Sequence, residues 1–70
     1  MRMQVLRKTD HVELGPIEAQ IGMMTLDGEI VKVNAKSIWV KGQYGERKLD
    51  ATCRPSVYLT EAKRFGWVKP

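Results

Sequence analysis

The chain lacks most of what builds a catalytic or metal-bearing site. One cysteine, Cys53, stands in 70 residues. An internal disulfide is therefore excluded, and a thiolate zinc site has no ligand set. The one histidine, His11, has Asp10 and Glu13 near it but no nucleophile, and it reads as a surface side chain. The six glycines occur singly at turns, so no Gly-rich phosphate loop is present. Glu46 and Asp50 share a strand with no third group to define an acid–base pair. The longest uncharged stretch, Ala19 to Leu26, is far short of the roughly 20 residues of a membrane span. Arg7 and Lys8 break the apolar run at the N-terminus, against a signal peptide. The expectation is a soluble, cytoplasmic, non-enzymatic protein with no cofactor and no metal.

What is present is enough for one small domain over residues 1–70. Hydrophobic residues make up 43% and charged residues 29%, a balance that supports a core. At this size the core supplies only about 3–5 kcal/mol. The charge is uneven. Residues 1–30 hold three bases against five acids, whereas residues 31–70 hold nine bases against three acids. A basic half of that kind is an electrostatic footprint for phosphate, and equally a solvated surface that keeps a small protein in solution.

Alternation with a period of two dominates the chain and predicts a mainly β fold. Met3 and Val5 share one face of a first strand. Ile17, Ala19, Ile21 and Met23 alternate with Glu18, Gln20, Gly22 and Met24 and predict another. Asp27-Gly28 between apolar runs predicts a tight hairpin turn. A three-strand meander follows over residues 24–53, with connections at Asn34–Lys36 and Gly42–Gly45. Its expected inward residues are Val31, Val33, Ile38, Val40, Leu49, Ala51 and Cys53. Beyond Pro55 the period changes. Tyr58, Ala62 and Phe65 mark the apolar face of a short helix, with Ser56 or Thr60 as its start and Gly66 as a left-handed cap.

The outward face of the meander carries the chemistry. With Ile38 and Val40 inward, Ser37, Trp39 and Lys41 point out. Lys32 and Lys48 take the same side on the neighbouring strands, Lys36 lies in the turn between, and Tyr44 sits at the next turn. An aromatic ring among ammonium groups suits single-stranded nucleic acid, because bases stack on the ring and lysines follow the backbone. The competing reading makes Trp39 the cover of a second, partial core. A second basic group, Arg54, Lys63, Arg64 and Lys69, reads either as phosphate contacts or as a solvated helix face.

The run Asp27-Gly-Glu-Ile-Val-Lys-Val-Asn-Ala-Lys-Ser-Ile-Trp-Val-Lys41 resembles the core of KOW-type and other SH3-like small barrels. Gly28, Ile30, Val33, Ile38 and Val40 stand at the matching places. The resemblance implies a five-strand barrel, or a strongly bent antiparallel sheet, that binds nucleic acid or proteins. The stretch from Tyr58 to Trp67 is similar to the opening helix of excisionase-like winged-helix domains, a similarity that capping chemistry accounts for. The expected function is a non-enzymatic, regulatory nucleic-acid-binding module acting through Lys32, Lys36, Trp39, Lys41, Tyr44, Lys48, Arg54, Lys63 and Arg64. The alternatives are a protein-interaction module docking on an acidic partner, and a small subunit that self-assembles by pairing of its sheet edges.

Overall fold

The computed structural model describes residues 1–68 and is mainly β with one short helix. Seven strands run β1 (Arg2–Leu6), β2 (Glu13–Glu18), β3 (Met24–Thr25), β4 (Gly28–Val33), β5 (Ser37–Gly42), β6 (Gly45–Asp50) and β7 (Ser56–Tyr58). A 3-10 turn, Ala51–Cys53, precedes β7, and helix α1 (Leu59–Arg64) follows it. The strands form two sheets, β2-β1-β7 and β3-β4-β5-β6. The second is an antiparallel meander in the expected order, with the two-residue β3 as a fourth strand where three were expected. In the first, β1 pairs antiparallel with β2 and parallel with β7. The sheets meet where the Leu26 N–H donates to the Ser56 carbonyl at 3.0 Å.

One core fills the space between them. Met3 and Val5 from β1, Ile30, Ile38, Val40 and Leu49 from the meander, Val57 from β7 and Ala62 from α1 are all buried together. Met3, Val5, Ile38, Val40 and Leu49 fall where alternation places them. Ile30 does not. It is fully buried, whereas Val31 is half-exposed, because a bulge between Ile30 and Lys32 inserts one unpaired residue into β4. The extra residue reverses parity once, so Lys32 still faces solvent and Val33 packs against the core.

Other departures have equally local causes. Ile21 is 70% exposed because Gln20–Met23 is a turn, with the Met23 N–H on the Gln20 carbonyl and Gly22 at φ +95°. Only Ala19 and Met23, at the ends of that crossover, reach the core. The hairpin expected at Asp27-Gly28 turns instead at Leu26-Asp27, with Thr25 opposite Gly28. The Thr25 hydroxyl donates to the Gly28 carbonyl at 2.8 Å and accepts from the Asp27 and Gly28 N–H groups. Gly28 is required for another reason. At φ +140° a Cβ there would lie 2.5 Å from the Lys41 carbonyl oxygen, so two backbones approach more closely than any side chain permits.

Ala51 and Cys53 are exposed, not inward, because Asp50 ends the strand. Its carboxylate accepts from the Thr52 N–H at 2.9 Å and from the Thr52 hydroxyl and Cys53 thiol, which coils the chain into the 3-10 turn. Ser37 is buried rather than outward. It closes the β4–β5 turn, its carbonyl accepting from the Asn34 N–H at 2.8 Å. At α1 neither Ser56 nor Thr60 caps; Tyr58 takes the cap position without a side-chain bond. Gly66 does cap the C-terminus, at φ +74°. The Gly66 N–H donates to the Lys63 carbonyl and the Trp67 N–H to the Ala62 carbonyl, the two bonds of a Schellman motif. That reversal brings Trp67 onto the core and leaves Phe65 56% exposed, the opposite of the helical-face expectation. The rings stack at 5.3 Å.

Candidate nucleic-acid interface

Three adjacent strands define the outer face of the meander in rows. Trp39 of β5 stands opposite Lys32 of β4 on one side and opposite Lys48 of β6 on the other. Directly opposed residues in an antiparallel pair share a face, with Cβ atoms about 4.5–5.5 Å apart. Trp39 thus has a lysine residue opposite it on each side. Trp39 is half-buried, while Lys32 and Lys48 are exposed. Two links make this row. The bulge at Val31 brings Lys32, rather than Val31, opposite Trp39, and the short Gln43-Tyr44 loop fixes β6 in register so that Lys48 meets the same ring. The indole is half-buried, and it is not among the partly buried side chains packed against the core.

The neighbouring rows differ. Lys41 stands opposite Glu29 and opposite Glu46. Its row therefore carries an acidic residue on each side of the lysine. Toward the other end, Ser37 opposes Asp50, and Lys36 is exposed in the turn just before. The basic character of the face lies in Lys32, Lys48 and Lys36, around one aromatic.

The remaining candidate residues lie elsewhere. Tyr44 occupies the tip of the β5–β6 hairpin, 96% exposed, beside a hollow lined by Asp27, Glu46 and Arg47. It adjoins the Glu46 row, not the Lys48 row. Arg54 is exposed in the left-handed conformation, φ 50°, that terminates the 3-10 turn. It borders a hollow against Arg2, Gln4 and Glu13 of the three-stranded sheet. Lys63 and Arg64 are exposed on the last turn of α1, which packs on β7 and β1. There the Arg64 guanidinium lies 5.5 Å from the Phe65 ring centre. These three cations therefore ride on the other sheet and do not extend the Trp39 row. Lys69 lies outside the described residues.

Sequence reading missed the long-range polar contacts. Arg47 donates to Asp27 at 2.6 Å across twenty positions, tying the two hairpins of the meander together. His11, at φ 57°, meets Tyr58 edge-on, its Nε2 at 3.3 Å from the phenol oxygen. The Lys8 ammonium lies 5.7 Å from the Tyr58 ring centre. No short-range pattern marks the Arg47–Asp27 or His11–Tyr58 pair, because each is made only when separate strands meet. One electrostatic feature is local. The Thr52 hydroxyl and N–H, then the Cys53 thiol, hold the Asp50 carboxyl below the usual carboxylate range. Arg7, donating twice to Asp10, lowers that carboxyl in the same way. Among the described residues no helix is long and apolar enough to cross a membrane.

Comparison with family models, with curated proteins and with solved structures gave no match for this chain.

Proposed function

We propose that the outer face of the four-stranded sheet binds single-stranded nucleic acid, without catalysis, and that the protein acts as a regulatory binding module. The Lys32–Trp39–Lys48 row carries this reading. A base stacks on the open part of the indole, worth about 1–3 kcal/mol. Lys32, Lys48 and Lys36 take backbone phosphates on either side of it. The face is a strand surface held by a buried underside, so the rows that carry the ring and the lysines are set by the backbone.

Anisotropy of a labelled oligothymidine tests this. Binding at micromolar protein and about 50 mM salt is the expected result, weakening steeply as salt rises. Trp39→Ala lowers affinity about fivefold or more while the far-UV spectrum is retained. No binding under those conditions, or wild-type affinity in Trp39→Ala, overturns the proposal.

A second reading draws on the Glu29–Lys41–Glu46 row. Alternating charge suits a protein surface better than a polyanion. On that reading the partner is a protein whose acidic groups seat on Lys32 and Lys48 and whose cations meet the two glutamates. Such a complex tolerates loss of the ring, which the stacking reading does not.

A further inference from the structure

The outer strands β3 and β7 adjoin where the sheets meet, which leaves β2 in one sheet and β6 in the other as the far edges, and these differ. The Gln43-Tyr44 loop closes on the pair Gly42–Gly45, which is hydrogen-bonded in two-residue hairpins. Alternation along the ladder then gives Arg47 and Leu49 to the bonds with β5, so the backbone N–H and C=O of Glu46 and Lys48 point away from it. The other side of β5 fixes the same phase. The Asn34 N–H donates to the Ser37 carbonyl, which commits Ser37 and Trp39 to β4 and leaves Ile38 and Val40 for β6. Among the described residues, no backbone bond outside the strand ladders involves Glu46 or Lys48. The edge of β2 is closed by chemistry. The Ala19 N–H donates to the Met1 carbonyl, so Gly15 and Ile17 serve β1 and Pro16, without an N–H, falls on the outer edge.

We propose that the β6 edge is a homotypic pairing site, at which a second copy of this chain adds its own β6 antiparallel about a two-fold axis at Arg47. This register sets Glu46 opposite Lys48 of the second copy and Lys48 opposite its Glu46. Four backbone hydrogen bonds and two cross-strand ion pairs form. Charge selects it against its neighbours. An axis at Lys48 opposes Lys48 to itself and Glu46 to Asp50; an axis at Glu46 opposes two glutamates. An axis at Leu49 needs Asp50, whose carboxylate is already engaged by Thr52 and where the strand ends. Arg47 meets its own copy at the axis, on the opposite face, with its charge balanced by Asp27 of its own chain. Pairing joins the two meanders into one eight-stranded sheet. The two Trp39 rings then share one outer face, three strand spacings or about 14 Å apart across the sheet.

Sedimentation equilibrium from about 10 μM to 1 mM, with no nucleic acid present, reads this independently of the proposed ligand, in the affinity range of small interfaces. The weight-average mass is expected to rise from 8.0 kDa toward twice that value. Glu46→Lys and Lys48→Glu each raise the half-association concentration about tenfold, and the double reversal returns it to near wild type. In the wild-type chain, amide exchange at Glu46 and Lys48 slows over the same concentration range. A mass of 8.0 kDa throughout overturns the proposal. So does a rise in mass while those two amides stay fast, or a double reversal that fails to restore association.

Discussion

Strand β5 shows two kinds of surface on one backbone. Its inner side chains, Ile38 and Val40, are fully buried, while its outer ones, Trp39 and Lys41, stay half-buried and exposed. The inner set touches residues from both sheets and from the helix. The outer set is matched only to β4 and β6, residue by residue across the ladder. Stability is therefore concentrated beneath the sheet. The outer face, where the proposed recognition lies, is exposed enough for its residues to be charged. The lesson holds within the outer face too. Lys48 and Lys41 stand in neighbouring rows and are both exposed, yet only Lys41 has a carboxylate residue on each side.

The sharpest break in this comparison is a cavity underneath. Ile38→Ala is expected to cost about 2–5 kcal/mol, most of what a domain of this size holds, and urea denaturation should find the variant largely unfolded at 25 °C. Gly28→Ala comes next, at about 1–3 kcal/mol. It puts a Cβ against the Lys41 carbonyl and strains a φ of +140°, so it forces β4 from β5 without touching either set of side chains. A wild-type urea midpoint for Gly28→Ala would show that the two backbones can separate freely.

On the outer face the expected effects are smaller. Trp39→Ala should change stability by only about 1 kcal/mol, since part of the ring is already solvated. A molten spectrum for that variant would move Trp39 to the structural side of the comparison. Lys48→Gln should reduce the salt dependence of oligonucleotide binding by about 0.7 in the log–log slope, whereas Lys41→Gln, bracketed by Glu29 and Glu46, should leave the slope nearly unchanged. Equal slopes for the two variants would show that the rows are electrostatically alike.

The smallest effect concerns the strand end. The folded Asp50 carboxyl titrates below its unfolded value. Its contribution is therefore present above about pH 4, the unfolded carboxylate range, and is lost as pH falls through the lower folded value. Melting temperatures of wild type and Asp50→Asn should differ slightly at pH 7 and converge in acid. A gap that persists at pH 2 would assign the difference to packing.

The meander was legible because its information is local. Branched and aromatic residues from Ser37 to Lys41 alternate cleanly, and loops of two or three residues leave hairpins as the only connection. Alternation alone put Ile38 and Val40 inside and Trp39 with Lys48 outside. It failed at Ile30, where one inserted residue reverses the count, and at Cys53, where the Asp50 side chain ends the strand three residues early. Both failures are single-residue events in a pattern that has no redundancy over six residues. The three-stranded sheet was less legible. Met3 and Val5 announce a strand, but the parallel pairing of β1 with β7 joins segments about fifty positions apart, and no periodicity encodes a partner.

The sequence by itself determined the class of fold, the order of the meander, the buried pair in β5 and the left-handed stop at Gly66, because side-chain parity and backbone sterics act over a few residues. Tertiary structure alone decided which residues stand directly opposite Trp39, where the bulge shifts β4, that Arg47 reaches Asp27, and which sheet edge stays open. Those depend on the register between strands, and register is settled only when the whole core closes at once.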